Sequence, residues 1–252
     1  EYRFLRADGV WRWLDSTGAV ARVDPETGKA LRLAGTIQDI AERRDAEERR
    51  ELLTQEVNHR ARNTLAIVQA ILRLTRASSA AEFARLVEGR IAALARAQSL
   101  LAAERWSGAP LATLITDEVA PFGGVDEPAS GGGARFRLDG EAFRVRPEAV
   151  QALGMVFHEL ATNAAKHGAL SVPEGHVVIA WAVDEAAGLL RIRWTETNGP
   201  HPGFPTHRGV GSRVIEATMT GQLGGSVERR WPDEGLICDI AVPLARARAG
   251  PV

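Results

Sequence analysis

The chain has 252 residues, 45% of them apolar and 25% charged, an ordinary globular composition with room for two or three small domains and too apolar for a disordered tail. Its 31 Lys and Arg stand against 32 Asp and Glu, a net charge of −1, which removes any global electrostatic case for nucleic acid or an anionic membrane as partner. Cys238 is the only cysteine, which excludes an intramolecular disulfide framework and a multi-cysteine metal site and favours a reducing, cytoplasmic setting.

No stretch approaches the roughly 20 apolar residues needed to span a bilayer, so no membrane contact is expected here. The opening residues EYRFLRADGV show neither an initiator Met nor a signal-peptide pattern and read as a cut through a longer protein.

Residues 1–40 read as short strands. Tyr2 to Leu5, Trp11 to Asp15 and Leu31 to Asp39 are separated by turn signals at Ala7-Asp8-Gly9 and near Asp24-Pro25. So short a segment is expected to be the tail of a domain whose first half precedes it.

From Ile40 to Ala77 neither Gly nor Pro interrupts the chain, which predicts one long helix. Leu53, Val57, Thr64, Val68, Ile71 and Thr75 project onto a narrow arc of it, a seam for a partner helix. After a break at Ser78-Ser79, Phe83, Val87, Arg90, Leu94, Ala97 and Leu101 repeat at alternating spacings of four and three. This predicts a second helix packed antiparallel on the first, a helical hairpin.

Ser107 to Pro110 and the glycine-rich stretch 123–133 read as linker or loop, the latter without the Lys-Ser/Thr ending of a P-loop. Beyond Pro110 the chain alternates helices (Leu111 to Ala120, Pro147 to His167, Ser212 to Leu223) with strands. The strands are Ala134 to Leu138, His176 to Val183, Leu189 to Thr195, Ser226 to Trp231 and Leu236 to Val242. The pattern predicts a mixed sheet with helices on one face, so the whole is an α+β multidomain chain.

Three constellations carry chemistry. His59 lies on the polar edge of the first helix with Glu56 and Asn63 at i−3 and i+4. A neutral, exposed imidazole is a competent nucleophile near pH 7, and Glu56 or Asn63 would hold its tautomer. In the helix 147–167, Glu159, Asn163 and Lys166 share one face opposite Val150, Leu153, Phe157, Leu160 and Ala164. Amide oxygen, ammonium and carboxylate suit a Mg²⁺–phosphate site, with Glu159 orienting a water or a proton.

The third constellation is Trp194-Thr195-Glu196, with Gly199 following and Gly209 and Gly211 just before a helix. Glu196 is expected at a sheet edge, able to accept a hydrogen bond from an exocyclic amine such as that of adenine. The glycines precede a helix N-terminus, which favours phosphate. A solvated surface histidine, a solvated helix face and a simple glycine turn are the bland alternatives to the three.

These motifs resemble those of the HWE class of sensor histidine kinases. The stretch His59-Arg60-Ala61-Arg62-Asn63 is similar to the H-box, and His158-Glu159-Leu160-Ala161-Thr162-Asn163 with Lys166 to the N-box, which departs from the class in ending Lys166-His167 where an aromatic is frequent. Trp194-Thr195-Glu196 is similar to the Trp-x-Glu motif, and Gly209-Val210-Gly211-Ser212-Arg213 to the glycine box. Residues 1–40 resemble the C-terminal part of a PAS sensor domain, through Asp8-Gly9-Val10-Trp11 and Gly35-Thr36-Ile37-Gln38-Asp39-Ile40.

The resemblance implies a PAS part (1–40), a dimerisation and phosphotransfer hairpin (41–106), a Bergerat-type (GHKL) α/β-sandwich ATP-binding domain (107–246) and a tail (247–252). It implies Mg²⁺ held by Asn163, adenine met by Glu196, phosphate reached by Lys166, an ATP lid bordered by Gly209 and Gly211, and His158 and Trp194 as class marks. The implied activity is phosphorylation of His59 by Mg·ATP, then transfer to an aspartate of a response regulator receiver domain, with a homodimer through the hairpin. Arg60 stands where commoner histidine kinases carry an acidic residue, which leaves the base to Glu56. A GHKL-type ATPase or protein-serine kinase, with Glu159 activating water, and a catalytically silent scaffold are the alternatives.

Overall fold

The computed structural model describes residues 1–125, 135–200 and 210–250, with the side chains of Glu56, Arg60 and Val210 also outside the description. Most of the loop expected over 123–133, the start of the strand expected at Ala134, and Gly209 with the lid before it therefore lie outside the described residues. The chain divides into two compact units, Glu1–Ile67 and Val68–Val252.

In the first unit β1 (Tyr2–Leu5), β2 (Trp11–Val23) and β3 (Ala30–Asp39) form an antiparallel sheet in the order β1-β2-β3. Gly9 takes a left-handed φ of +82° in the first turn, and Asp8 accepts the Val10 N–H beside it. β2 continues well past the expected end at Asp15. Gly18 stands opposite Gly35 in its ladder, and a Cβ on Gly35 would lie 2.4 Å from the Thr17 carbonyl, so cross-strand pairing holds a stretch that local propensity does not. Ile40, 1% exposed, then leads into α1 (Ala41–Leu74), with Asp39 accepting the Ala41 N–H.

In the second unit α2 (Ala80–Ala103) starts at Ser79, whose hydroxyl accepts the Glu82 N–H while the Glu82 carboxylate bonds back to Ser78. β4 (Ala109–Pro110) pairs with β6 (Arg144–Val145) around α3 (Leu111–Val119) and β5 (Phe136–Gly140). There follow α4 (Pro147–His167), β7 (His176–Asp184), β8 (Leu189–Thr197), α5 (Val210–Thr218), β9 (Ser226–Arg230), β10 (Ile237–Pro243) and α6 (Leu244–Ala247).

The five-stranded sheet runs β5-β7-β8-β10-β9, with β5 and β7 parallel and the other neighbours antiparallel. Leu190, Ile192 and Trp194 of β8 alternate inwards with period two and join Leu114, Leu153, Phe157 and Leu160 in one core.

The apolar stripe of α2 lies on α3 and α4, with Ala97, Leu100 and Leu101 in their core. The segment 247–252 is not a free tail from its start: Ala247 is fully buried and Arg248 bridges Val145.

Candidate functional site

α4 organises the site. Pro147 presets its first turn, and Val150, Leu153, Phe157, Leu160 and Ala164 face the core as expected. The opposite face is not solvated along its length, because α2 covers part of it. Glu159 is 4% exposed, and Arg90 of α2 grips its carboxylate with two bonds, Nε to Oε1 at 2.7 Å and Nη2 to Oε2 at 3.0 Å. The remaining arm of Arg90 donates to the Thr75 hydroxyl. Arg90 had been placed in the apolar repeat, and a cation in such a stripe requires a buried acceptor; that was the signal for this pair.

One turn on, Asn163 is half-buried and its amide forms no hydrogen bond among the described residues. Gly211, in the first turn of α5, packs against it. A Cβ there would lie 2.7 Å from Glu159 Oε2 and 3.3 Å from both terminal atoms of the Asn163 amide, so this glycine allows the close approach of two elements. The Ser212 carbonyl next to it accepts from Arg229. Lys166 follows on α4, with partial burial and then the nearby Arg85 lowering its pKa, and His167 is exposed.

Trp194 and Glu196 point inward from β8, two residues apart on one strand face. The Trp194 indole donates to Glu196 Oε1 at 3.1 Å and the Ala169 N–H donates to Oε2 at 2.8 Å. β8 is the central strand, so Glu196 is not at a sheet edge as expected; it lies 3% exposed beneath the end of α4, and burial raises its pKa. Gly168 has no room for a side chain, since a Cβ would fall 1.9 Å from Glu196 Oε2, and a Cβ on Gly199 would fall 2.7 Å from Ala169 Cα. Asn163 lies four residues before the end of α4 at His167, and Glu196 is held by Ala169 just beyond that end.

In the first unit His59 is exposed on α1, with its Nδ1 3.5 Å from the Asn63 amide nitrogen. Glu56, the other residue expected to act on it, has its side chain outside the description. No group of three or more His, Cys, Asp or Glu able to hold a metal occurs among the described residues.

Residues 56–142 match the family model described as HWE histidine kinase. These residues belong to the HWE histidine kinase family. A blue-light-activated histidine kinase of Rhizobium johnstonii is 38% identical over 88% of this chain and 63% of its own length. One of the same description from Brucella ovis is 32% identical over 97% of this chain and 48% of its own, so the chain spans less than two thirds of the length of either relative. Among solved structures, the Erythrobacter litoralis EL346 blue-light activated histidine kinase aligns with 97% of this chain and 74% of its own at 21% identity and a TM-score of 0.55. Its separate histidine kinase domain aligns with 75% of this chain and 95% of its own at 18% identity and a TM-score of 0.51, a likeness of fold.

A buried polar cluster joins His158 to residues that no motif singled out. Arg96 of α2 donates to Glu118 of α3 at 2.6 Å and lies 3.5 Å from Nδ1 of His158, whose ring meets that of Phe122. Glu118 is fully buried, with Oε1 unpartnered among the described residues. Burial pushes its carboxyl up to about 7 and pushes the His158 imidazole down to about 4.

The two act on stability in opposite directions. Glu118 holds its proton where the unfolded chain has lost it, so its contribution is full below about pH 4.5 and is lost as pH rises through 7. His158 stays neutral where the unfolded chain is charged, so its contribution is full above 6.5 and is lost as pH falls through 4. Glu118→Gln leaves the histidine contribution alone. The variant should lose stability more steeply than wild type between pH 6.5 and 4.5, by up to about 1.4 kcal/mol per unit, read from urea midpoints; parallel curves would contradict this.

Proposed function

We propose that this chain is the transmitter part of a sensor histidine kinase, which phosphorylates His59 with Mg·ATP and passes the phosphoryl group to an aspartate of a response regulator receiver domain. The organisation goes with it: the C-terminal part of a PAS domain at 1–40, the phosphotransfer part at 41–106 and a Bergerat-type ATP-binding domain at 107–246. The observation that carries the reading is the grouping at the C-terminal end of α4 of the Asn163 amide, which has no hydrogen-bond partner among the described residues and is approached by Gly211, with the buried carboxylate of Glu196.

An adenosine phosphate calls for both kinds of group, an acceptor for its base and polar partners for its anionic oxygens. Glu196 keeps acceptor capacity for an exocyclic amine beside its Trp194 and Ala169 donors. The N–H groups in the first turn of α5 and the ammonium of Lys166 meet phosphate charge. Asn163 would hold Mg²⁺ by its amide oxygen, and that ion, when bound, neutralises phosphate charge.

The Asn63 amide nitrogen lies 3.5 Å from Nδ1 of His59; with that amide flipped, its oxygen would accept from Nδ1–H and Nε2 would keep its lone pair. That lone pair forms an N–P bond to the γ-phosphorus as the bond to the β-phosphate oxygen breaks and ADP leaves. Leu53 and Val57, exposed on α1, support a homodimer through this helix. A cytoplasmic setting, where ATP and receiver domains are found, goes with the reading.

Calorimetric titration with Mg·ATP tests it. Asn163→Ala should weaken binding by about 10- to 100-fold, the worth of one bond to a charged group, and unchanged affinity would contradict the assignment.

A further inference from the structure

We propose that Arg90 is a positioning residue that withholds Glu159 from water, so that the phosphoryl group reaches a histidine and is not lost by hydrolysis; this rests on the nucleotide reading above. Glu159 precedes Asn163 by one helical turn on the same face of α4, and its Oε2 lies beside Gly211. It is therefore the carboxylate next to the phosphate end of the site.

A free carboxylate at that position is suited to hydrolysis. Water would form an O–P bond to the γ-phosphorus, the bond to the β-phosphate oxygen would break, the water proton would pass to Glu159, and ADP would leave with inorganic phosphate as the second product. General-base assistance of this kind contributes about 10²- to 10⁴-fold. For a kinase it is a leak.

The observed geometry closes that route. Both Glu159 oxygens accept from the planar fork of Arg90, which fixes the plane of the carboxylate as well as its charge partner. Arg90 is itself fixed by Thr75, and the side chains of the pair are only 2% and 6% exposed, so bulk water does not compete for it. Packing does not demand an ion pair here. Two apolar side chains of similar volume fill such a space at least as favourably, which turns attention from stability to what the pair prevents.

The test uses the 252-residue chain and four proteins: wild type, Arg90→Lys, Arg90→Met, and Arg90→Met combined with Glu159→Gln. For each, release of inorganic phosphate from Mg·ATP is measured beside Mg·ATP affinity and thermal unfolding. Arg90→Lys keeps the positive charge but replaces the fork by a single point contact. It should raise phosphate release about tenfold at unchanged affinity, with Arg90→Met higher still and the double variant back at the wild-type rate.

A folded, ATP-binding Arg90→Lys with unchanged phosphate release overturns the proposal, and it decides alone if Arg90→Met does not fold. A merely structural role would lower the unfolding temperature and affinity without a gain in phosphate release for Glu159→Gln to remove, and this too overturns it. A wild type that binds no Mg·ATP removes the nucleotide reading and the inference together. A wild type that binds, with flat phosphate release across the series, removes the inference alone.

Discussion

Arg90→Met alone is expected to lower the folding free energy by about 3–5 kcal/mol, seen as a large fall in the urea midpoint. The change strands Glu159 as an uncompensated carboxylate whose side chain is 6% exposed, and it takes the guanidinium donor from the Thr75 hydroxyl. The cost is one of imbalance and not of a lost attraction, so Arg90→Met combined with Glu159→Leu should recover most of it by replacing both partners with apolar groups. If the double variant is as unstable as the single one, the ion pair contributes net stability and this view of it is wrong.

The same pair marks where the sequence could be read and where it could not. α4 was legible to the residue, Pro147 to His167, because Pro at the first turn, the apolar period and Gly168 all agree. The strands of the second unit were legible through alternation, as in Leu190, Ile192 and Trp194. The burial of Glu159 was not, because a helical projection shows which residues share a face but not that a second helix covers it.

The apolar stripe of α2 is buried as its period suggests, but periodicity is silent on which surface a stripe meets, and Ala97, Leu100 and Leu101 join the core of α3 and α4. Glu196 was taken for an edge residue because strand order is not written locally; the crossovers that put β8 at the centre are long-range. Glu118 sits a further turn beyond Leu111, Leu114 and Ile115 on the buried face of α3, a carboxylate in an apolar period and the same kind of signal as Arg90.

His59→Ala should have the opposite profile to the Arg90 substitution. The imidazole is exposed and, among the described residues, its polar contact is the Asn63 amide at 3.5 Å, so stability should change by no more than about 0.5 kcal/mol. Nucleotide affinity should also be unchanged, because the residues proposed to hold ATP lie on α4, β8 and α5. Only the acceptor is removed, and no other side chain on that face of α1 offers an equivalent nucleophile.

The measurement that tests the account most directly is incubation of wild type and His59→Ala with γ-labelled Mg·ATP, followed by acid and alkali treatment of the protein. A label on wild type that is lost in acid, survives alkali and is absent from His59→Ala, with ATP binding intact in both, is the predicted result. A label that persists in His59→Ala, or an acid-stable label on wild type, would contradict phosphoryl transfer to this histidine.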